Sequence, residues 1–194
     1  MYHDLPRSAR FWAFLFSVDE DLAEIARQQA CPCGGRLHHA NYPRKPRGGG
    51  KDLPSDYGHR LSFCCNRDGC RKRVTPPSVR FLGRKVYLGA VVILVAAMRQ
   101  GPSPRRVREL SGLFGADRRT IARWQVFWRE HFPQTRFWKV ARGLLVPAVE
   151  IVILPLSLLE AFLRGDDAYK AWEQMLRFLG PITIVGGLAI EVSR

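Results

Sequence analysis

Acidic residues are scarce in this chain: 17 Asp and Glu stand against 31 Lys and Arg in 194 residues, for a formal net charge of +14. A solubilising surface ordinarily mixes both signs, so the excess points to a polyanionic partner. Cysteine is absent after Cys70, and the opening MYHDLPR has no basic stretch leading into an uncharged apolar run. These two absences predict a protein without a secretory leader, at work in the reducing cytoplasm, and speak against a disulfide-stapled secreted domain. Long hydrophobic runs are also lacking. Residues 86–98 are uncharged but fall short of the ~20 residues of a membrane span, and residues 143–159 are interrupted by Pro147, Glu150 and Pro155. No membrane partner is expected.

Catalytic signatures are missing as well. There is no G-x-x-x-x-G-K-[ST], H-E-x-x-H or G-x-S-x-G, and no dinucleotide glycine fingerprint. Two-metal phosphoryl transfer needs several carboxylates gathered on a sizeable sheet. Residues 132–194 offer only Glu150, Glu160, Asp166, Asp167, Glu173 and Glu191, which read as solvated helix faces and caps. A nucleophilic Cys64 with His59 is a weaker reading still, since a surplus thiol beside a metal site needs no catalytic role. No enzymatic activity is expected.

What the sequence does contain is concentrated. All five cysteines lie between residues 31 and 70, as Cys31-Pro-Cys33-Gly-Gly and Cys64-Cys65-Asn-Arg-Asp-Gly-Cys70. Two thiol turns separated by a long excursion are the layout of a zinc ribbon, because zinc takes four tetrahedral soft ligands and a loop of almost any length can bridge the pairs. A strand over LSFCC, residues 61–65, alternates faces, so Phe63 and Cys65 point one way and Cys64 the other. The expected Zn2+ ligands are therefore Cys31, Cys33, Cys65 and Cys70, with Cys64 as the substitute for Cys65. His38, His39 and His59 are near enough in sequence to complete a mixed site, although each also suits an exposed loop. The first turn, Cys-x-Cys, is one residue shorter than the usual Cys-x-x-Cys.

Charge follows the same map. Residues 36–85 carry 13 basic and 3 acidic side chains and residues 86–142 carry 11 and 3, while both ends of the chain are slightly acidic. Within the cysteine region, YPRKPRGGGK (residues 42–51) holds prolines and glycines that forbid regular structure and reads as a mobile basic arm or a passive linker. Before the cysteines, residues 10–30 open on the aromatics Phe11, Trp12, Phe14 and Phe16 and continue as a helix, with Ser17 and Glu20 matching a capping box at its start.

After the apolar stretch comes PRRVRELSGLFGADRRTIARW, residues 104–124. It reads as a helix, a tight turn and a second helix: Ser111 is small where helices cross, Gly115 can take a positive φ and Asp117 can cap the second helix. On a 3.6-residue wheel Ile121, Trp124 and Trp128 share one side, leaving Arg119, Ala122, Arg123 and Val126 on the other, flanked by Arg118 and Arg129. In a DNA-bound helix-turn-helix such outward positions reach base edges, where arginine suits guanine and alanine suits a thymine methyl. Arg118, Arg119, Ala122 and Arg123 are the candidate readers. Arg105, Arg106 and Arg108, on the preceding helix, are the candidate phosphate contacts.

The order CPCGG, FCCNRDGCRKR, apolar helix, ELSGLFGADRRTIARW resembles the N-terminal DNA-binding region of zinc-ribbon transposases from bacterial insertion sequences, over roughly residues 30–130. The resemblance implies that ribbon and helix-turn-helix together grip element ends or target DNA, with Cys31, Cys33, Cys65 and Cys70 as ligands and Arg118, Arg119 and Arg123 as readers. The chain departs from the family in its shortened first cysteine turn, in the four-residue gap of the second, and in lacking a recognisable nuclease part.

The expected fold is mainly α: an N-terminal helical segment (1–30), a small zinc-ribbon β element with a basic loop (31–83), a three-helix helix-turn-helix unit (84–132) and a helical tail (133–194). In the tail, helices over 155–164 and 167–179 present Leu156, Leu159, Phe162, Tyr169, Trp172, Met175 and Leu176 to a core, and a homodimer or a partner protein is expected to dock there. The functional expectation is a zinc-dependent, non-catalytic protein binding duplex DNA. An RNA-binding or ribosome-associated zinc ribbon and a minimal transposase or nuclease are the alternatives.

Overall fold

The computed structural model describes residues 8–49, 53–82, 87–97, 103–146, 148–163 and 167–184. Among these residues the chain is mainly helical, with seven α-helices and five strands of two or three residues each.

Helix α1 (Ala9–Gln28) begins where the Ser8 hydroxyl accepts the Phe11 N–H. The start expected at Ser17 and Glu20 is corrected: Ser17 lies inside α1 and donates to the Phe14 carbonyl. The aromatic cluster is itself helical in period. Phe11, Trp12, Leu15, Val18, Asp19 and Ala23 share the buried face, so starting at residue 9 buries two more aromatic side chains than starting at 17.

Two small sheets come next. Strands β1 (Leu37–His39), β4 (Phe63–Cys65) and β5 (Arg73–Val74) pair antiparallel in the order β1-β4-β5, and β2 (Tyr42–Pro43) pairs with β3 (His59–Arg60). The basic segment between β2 and β3 is anchored in its described part. Arg44 N–H donates to the Gly58 carbonyl, Leu88 N–H to the Arg47 carbonyl, and Gly48, at φ +90, packs on Val91. Residues 42–49 are held to their neighbours by these contacts; residues 50 and 51 lie outside the described part.

Helix α2 (Gly89–Ala96) is built from GAVVILVA, a run of β-branched residues with modest helix propensity. Every one of its residues is buried, and tertiary packing against α4 and α6 decides its form. Helices α3 (Pro104–Phe114) and α4 (Arg118–Val126) are joined by three residues, and α4 runs on through a π-helical turn, Phe127–His131. Next come α5 (Arg136–Ala141), α6 (Leu156–Phe162) and α7 (Ala168–Phe178), with Asp167 capping α7 by accepting the Lys170 N–H.

One large core runs from Phe11 to Ile182 and includes the buried rings of Trp12, Trp128, Trp138 and Trp172. Trp172 and Tyr169 of α7 meet the ring of Phe11 edge to face, closing the tail against α1. Inside this core the Asp19 carboxylate accepts hydrogen bonds from the Ser78 hydroxyl, the Val79 N–H and Arg80 Nε, at 2.6, 2.6 and 2.7 Å. Arg80 donates further to the Asp56 and His59 carbonyls and lies over the rings of Phe16, Tyr57 and Phe81. This wholly buried pair fastens α1 to the segment leaving the cysteine region.

Candidate metal centre and candidate nucleic-acid interface

Cys31, Cys33, Cys65 and Cys70 bring their sulfurs within 4.8 Å of one another. Cys31 Sγ lies 3.7 Å from Cys70 Sγ, and Cys33 Sγ lies 3.5 Å from Cys65 Sγ. Both separations are far beyond the ~2.05 Å of a disulfide. Four sulfurs placed tetrahedrally at ~2.3 Å from a metal ion would lie ~3.8 Å apart, so the quartet is compatible with one tetrahedral metal ion. Among the described residues no histidine joins it. His38 and His39 are exposed on β1, and His59 is exposed on β3.

The local chain explains how so short a first turn works. After Cys31-Pro-Cys33, Gly34 adopts φ +80 and donates its N–H to the Cys31 carbonyl, while the Cys31 N–H returns to the Gly35 carbonyl. Gly35 then passes directly over the cluster. A β-carbon there would lie 2.5 Å from Cys65 Sγ and 3.3 Å from Cys33 Sγ, so only glycine fits without moving a sulfur. The second turn runs from Cys65 to Cys70, with Gly69 at φ +81 and the Arg67 N–H directed at Cys65 Sγ. Asn66 stitches the two turns together, its side-chain oxygen accepting the Arg36 N–H and its own N–H donating to the Arg36 carbonyl.

Strand alternation on β4 sorts the adjacent cysteines. Phe63 and Cys65 are buried, with Leu37, Ala23 and Cys31 around them. Cys64 is half-exposed on the opposite side, cross-strand from His38 and Arg73, and its thiol points to the Arg71 carbonyl.

Backbone donors and crowding polarise the thiols. The Gly35 N–H, helped by neighbouring thiols, holds the Cys33 thiol down at about 6. At Cys65 the Arg67 N–H pulls downward, but burial and the adjacent sulfurs outweigh it and push the thiol up to about 12. Cys31 is also raised: the Cys33 N–H lowers it most, yet burial together with the Cys33 and Cys70 thiols prevails.

The α3–α4 region is ordered by its turn. Gly115 takes φ +62, Ala116 is fully buried, and Asp117 caps α4 by accepting the Thr120 N–H at 2.6 Å. That N–H, with the Thr120 hydroxyl, lowers the Asp117 carboxyl below its ordinary value. Ser111, expected at a close helix crossing, is exposed instead; Leu110, Phe114 and Ala116 make the buried contact. Tyr87 holds the turn from outside, its hydroxyl donating to the Gly115 carbonyl and its ring 4.8 Å edge-on from Trp124.

The inner face of α4 is Thr120, Ile121 and Trp124, all buried. Arg118, Arg119, Ala122 and Arg123 are exposed on its outer side, and the Arg123 guanidinium donates to the Thr120 hydroxyl at 3.0 Å. On α3, Arg105 and Arg108 are exposed, with Arg105 3.5 Å from Glu109; the side chain of Arg106 lies outside the described residues. The tail acids serve locally: Asp167 caps α7, and Glu173 pairs with Arg177 at 2.7 Å. Asp166 and Glu191 lie outside the described residues.

Sequence reasoning missed two features, one of which carries a signal. The Asp19–Arg80 pair is remote in sequence and has no local signature, whereas the glycine doublet after Cys33 is visible and its second member marks the close approach to Cys65. No family model matches the chain, and no curated protein or solved structure matches it.

Proposed function

We propose that the four cysteines hold one Zn2+ and that the protein is a zinc-dependent, non-catalytic DNA-binding protein, with α3–turn–α4 acting as a helix-turn-helix on duplex DNA. The observation that carries this reading is α4, which buries Thr120, Ile121 and Trp124 while exposing Arg118 and Arg119 at its N-terminus and Arg123 in its last turn. Those arginines read base edges, Ala122 makes room between them, and Arg105, Arg106 and Arg108 hold phosphate. Zinc is the metal that four converging thiolates select most naturally in a reducing, cytoplasmic setting. The ion would close the ribbon, whose own apolar cluster is only a handful of side chains.

The order of the two elements supports a relationship to the DNA-binding regions of mobile-element transposases. Val140, Leu144, Val146 and Val152, between 74% and 91% exposed, support a second copy or a partner protein docking on the C-terminal half.

The test is selection of duplexes from a random pool by the zinc-loaded protein, followed by binding measurements across a salt series. The expected result is an enriched sequence bound with an affinity that falls steeply as salt rises. Equal affinity for every duplex would remove the reader-helix assignment. Folded RNA outcompeting duplex DNA at one salt concentration would move the protein to the RNA-binding class. A metal-dependent nick in plasmid DNA, lost with Glu160→Ala or Asp167→Ala, would make it an enzyme.

A further inference from the structure

The outer side of α4 is not convex throughout. Beside Arg123 it opens into a hollow of about 610 Å³ lined by Tyr87, Thr120, Ala122, Trp124, Val126 and His131. Three circumstances create it. Ala122 is small at an exposed position where a longer side chain would fill the space, and Val126 continues the same apolar strip one turn on. Tyr87 stands as a wall, fixed by its hydroxyl to the Gly115 carbonyl and by its ring against Trp124. Tyr87 is itself bridged to Arg47, so the anchored basic segment of the cysteine region arrives at the same place.

A helix that reads a major groove with its side chains needs no cavity on its leading face. A hollow of this size lies within the ~300–1,000 Å³ of small-molecule sites. Its walls are mostly apolar and aromatic, with an arginine and a histidine at hand, which is the chemistry of an unstacked base with a phosphate beside it.

We propose that this hollow receives one unpaired, unstacked nucleobase of a DNA strand, with Arg123 on the edge of that base and the adjoining phosphate held by His131. The proposal rests on the DNA-binding reading above and names what α4 recognises: a strand end, bulge or melted position within a duplex. The ring of Tyr87 supplies the stacking surface, Ala122 and Val126 form the floor, and Arg47 meets the backbone on the far side. Affinity for such a site exceeds that for the fully paired duplex, because a base already unpaired spares the cost of extrusion.

The experiment compares the zinc-loaded full chain on a set of duplexes that differ only in one unpaired adenine, stepped along the site, against the fully paired parent. A parallel set carries 2-aminopurine at that position. The expected result is at least about tenfold tighter binding of one bulged duplex, in line with what one base stacked on an aromatic side chain contributes, and a change in 2-aminopurine emission at that position alone. Ala122→Phe fills the hollow and brings the ratio of bulged to paired affinity to about one. Val126→Phe does so from the next turn. Equal binding of paired and bulged DNA, or a ratio unchanged in both filling variants, overturns the proposal while leaving duplex binding intact. Failure to bind any DNA overturns the DNA-binding reading and this site with it. Bulged RNA bound more tightly than bulged DNA overturns the choice of strand.

Discussion

The sulfur of Cys65 occupies the space that a side chain on Gly35 would need: a β-carbon built there lies 2.5 Å from it, inside van der Waals contact. The atom in the way belongs to a buried cysteine on β4, so relief requires either the strand or the first cysteine turn to move. Gly35→Ala is expected to weaken metal binding by about 10-fold or more, in the range seen when groups supporting a metal site are disturbed. Titration of the protein against a chromophoric chelator measures this. Helical circular dichroism should be nearly unchanged, because the large core contains none of the four cysteines. Wild-type affinity in Gly35→Ala would show that the quartet does not need the geometry described here.

Acid should strip the metal before it unfolds the helices. Cys31 and Cys65 have thiols raised above their ordinary value, the latter to about 12, and must release protons when a metal binds at neutral pH. Cys33, held at about 6 by the Gly35 N–H, is already a thiolate there. Protons therefore compete with the metal as pH falls, and the competition steepens below pH 6, where Cys33 is protonated too. The measurement is apparent metal affinity from about pH 8 to about pH 5, with proton release followed calorimetrically in buffers of different ionisation enthalpy. A pH-independent affinity would contradict thiolate ligation.

Stability should depend heavily on Asp19. Its carboxylate and the Arg80 guanidinium are both fully buried, and Asp19 is the anionic partner within that cage of aromatic rings. Asp19→Asn keeps the volume but leaves an uncompensated positive charge, which costs about 3–5 kcal/mol, against total stabilities of about 5–15 kcal/mol. Asp19→Leu combined with Arg80→Met removes both charges and should cost less than Asp19→Asn alone. Urea unfolding of the three proteins checks the ordering. A loss below about 1 kcal/mol in Asp19→Asn would place the pair among weak, solvent-screened bridges.

The features legible in the sequence are those that neighbouring residues decide. The alternation Phe63, Cys64, Cys65 settles which thiol faces inward, and the 3.6-residue spacing of Ile121, Trp124 and Trp128 settles the inner face of α4. The glycine and aspartate of the α3–α4 turn act as their local chemistry demands. Long-range contacts are not legible. Asp19 meets Arg80 across 61 positions, and Ser78 N–H meets the Thr183 hydroxyl across 105. Tyr87 reaches the turn of another helix pair, which its place in an apolar run does not suggest. Ser17 and Glu20 match a capping pattern locally, whereas the start of α1 is decided by how many aromatic rings the helix can bury.

The arginines of α3 and α4 should fail in different ways when removed. A base reader and a phosphate contact both lose a charge, but only the reader changes which sequence is preferred. Arg119→Ala and Arg123→Ala are expected to flatten the preference at single positions, each by about 1–3 kcal/mol of discrimination. Arg123 is the better placed of the two, since its bond to the Thr120 hydroxyl already restricts the guanidinium. Arg108→Ala should weaken all duplexes alike and reduce the slope of log affinity against log salt by about one unit. Arg105→Ala should do the same to a smaller degree, because Arg105 must leave Glu109 before it can reach a phosphate. Glu109→Gln then becomes informative: freeing Arg105 should strengthen binding to every duplex and steepen the salt slope, with no change in base preference. If Arg119→Ala and Arg123→Ala instead behaved like Arg108→Ala, lowering affinity uniformly, α4 would be gripping the backbone and the sequence would be read elsewhere.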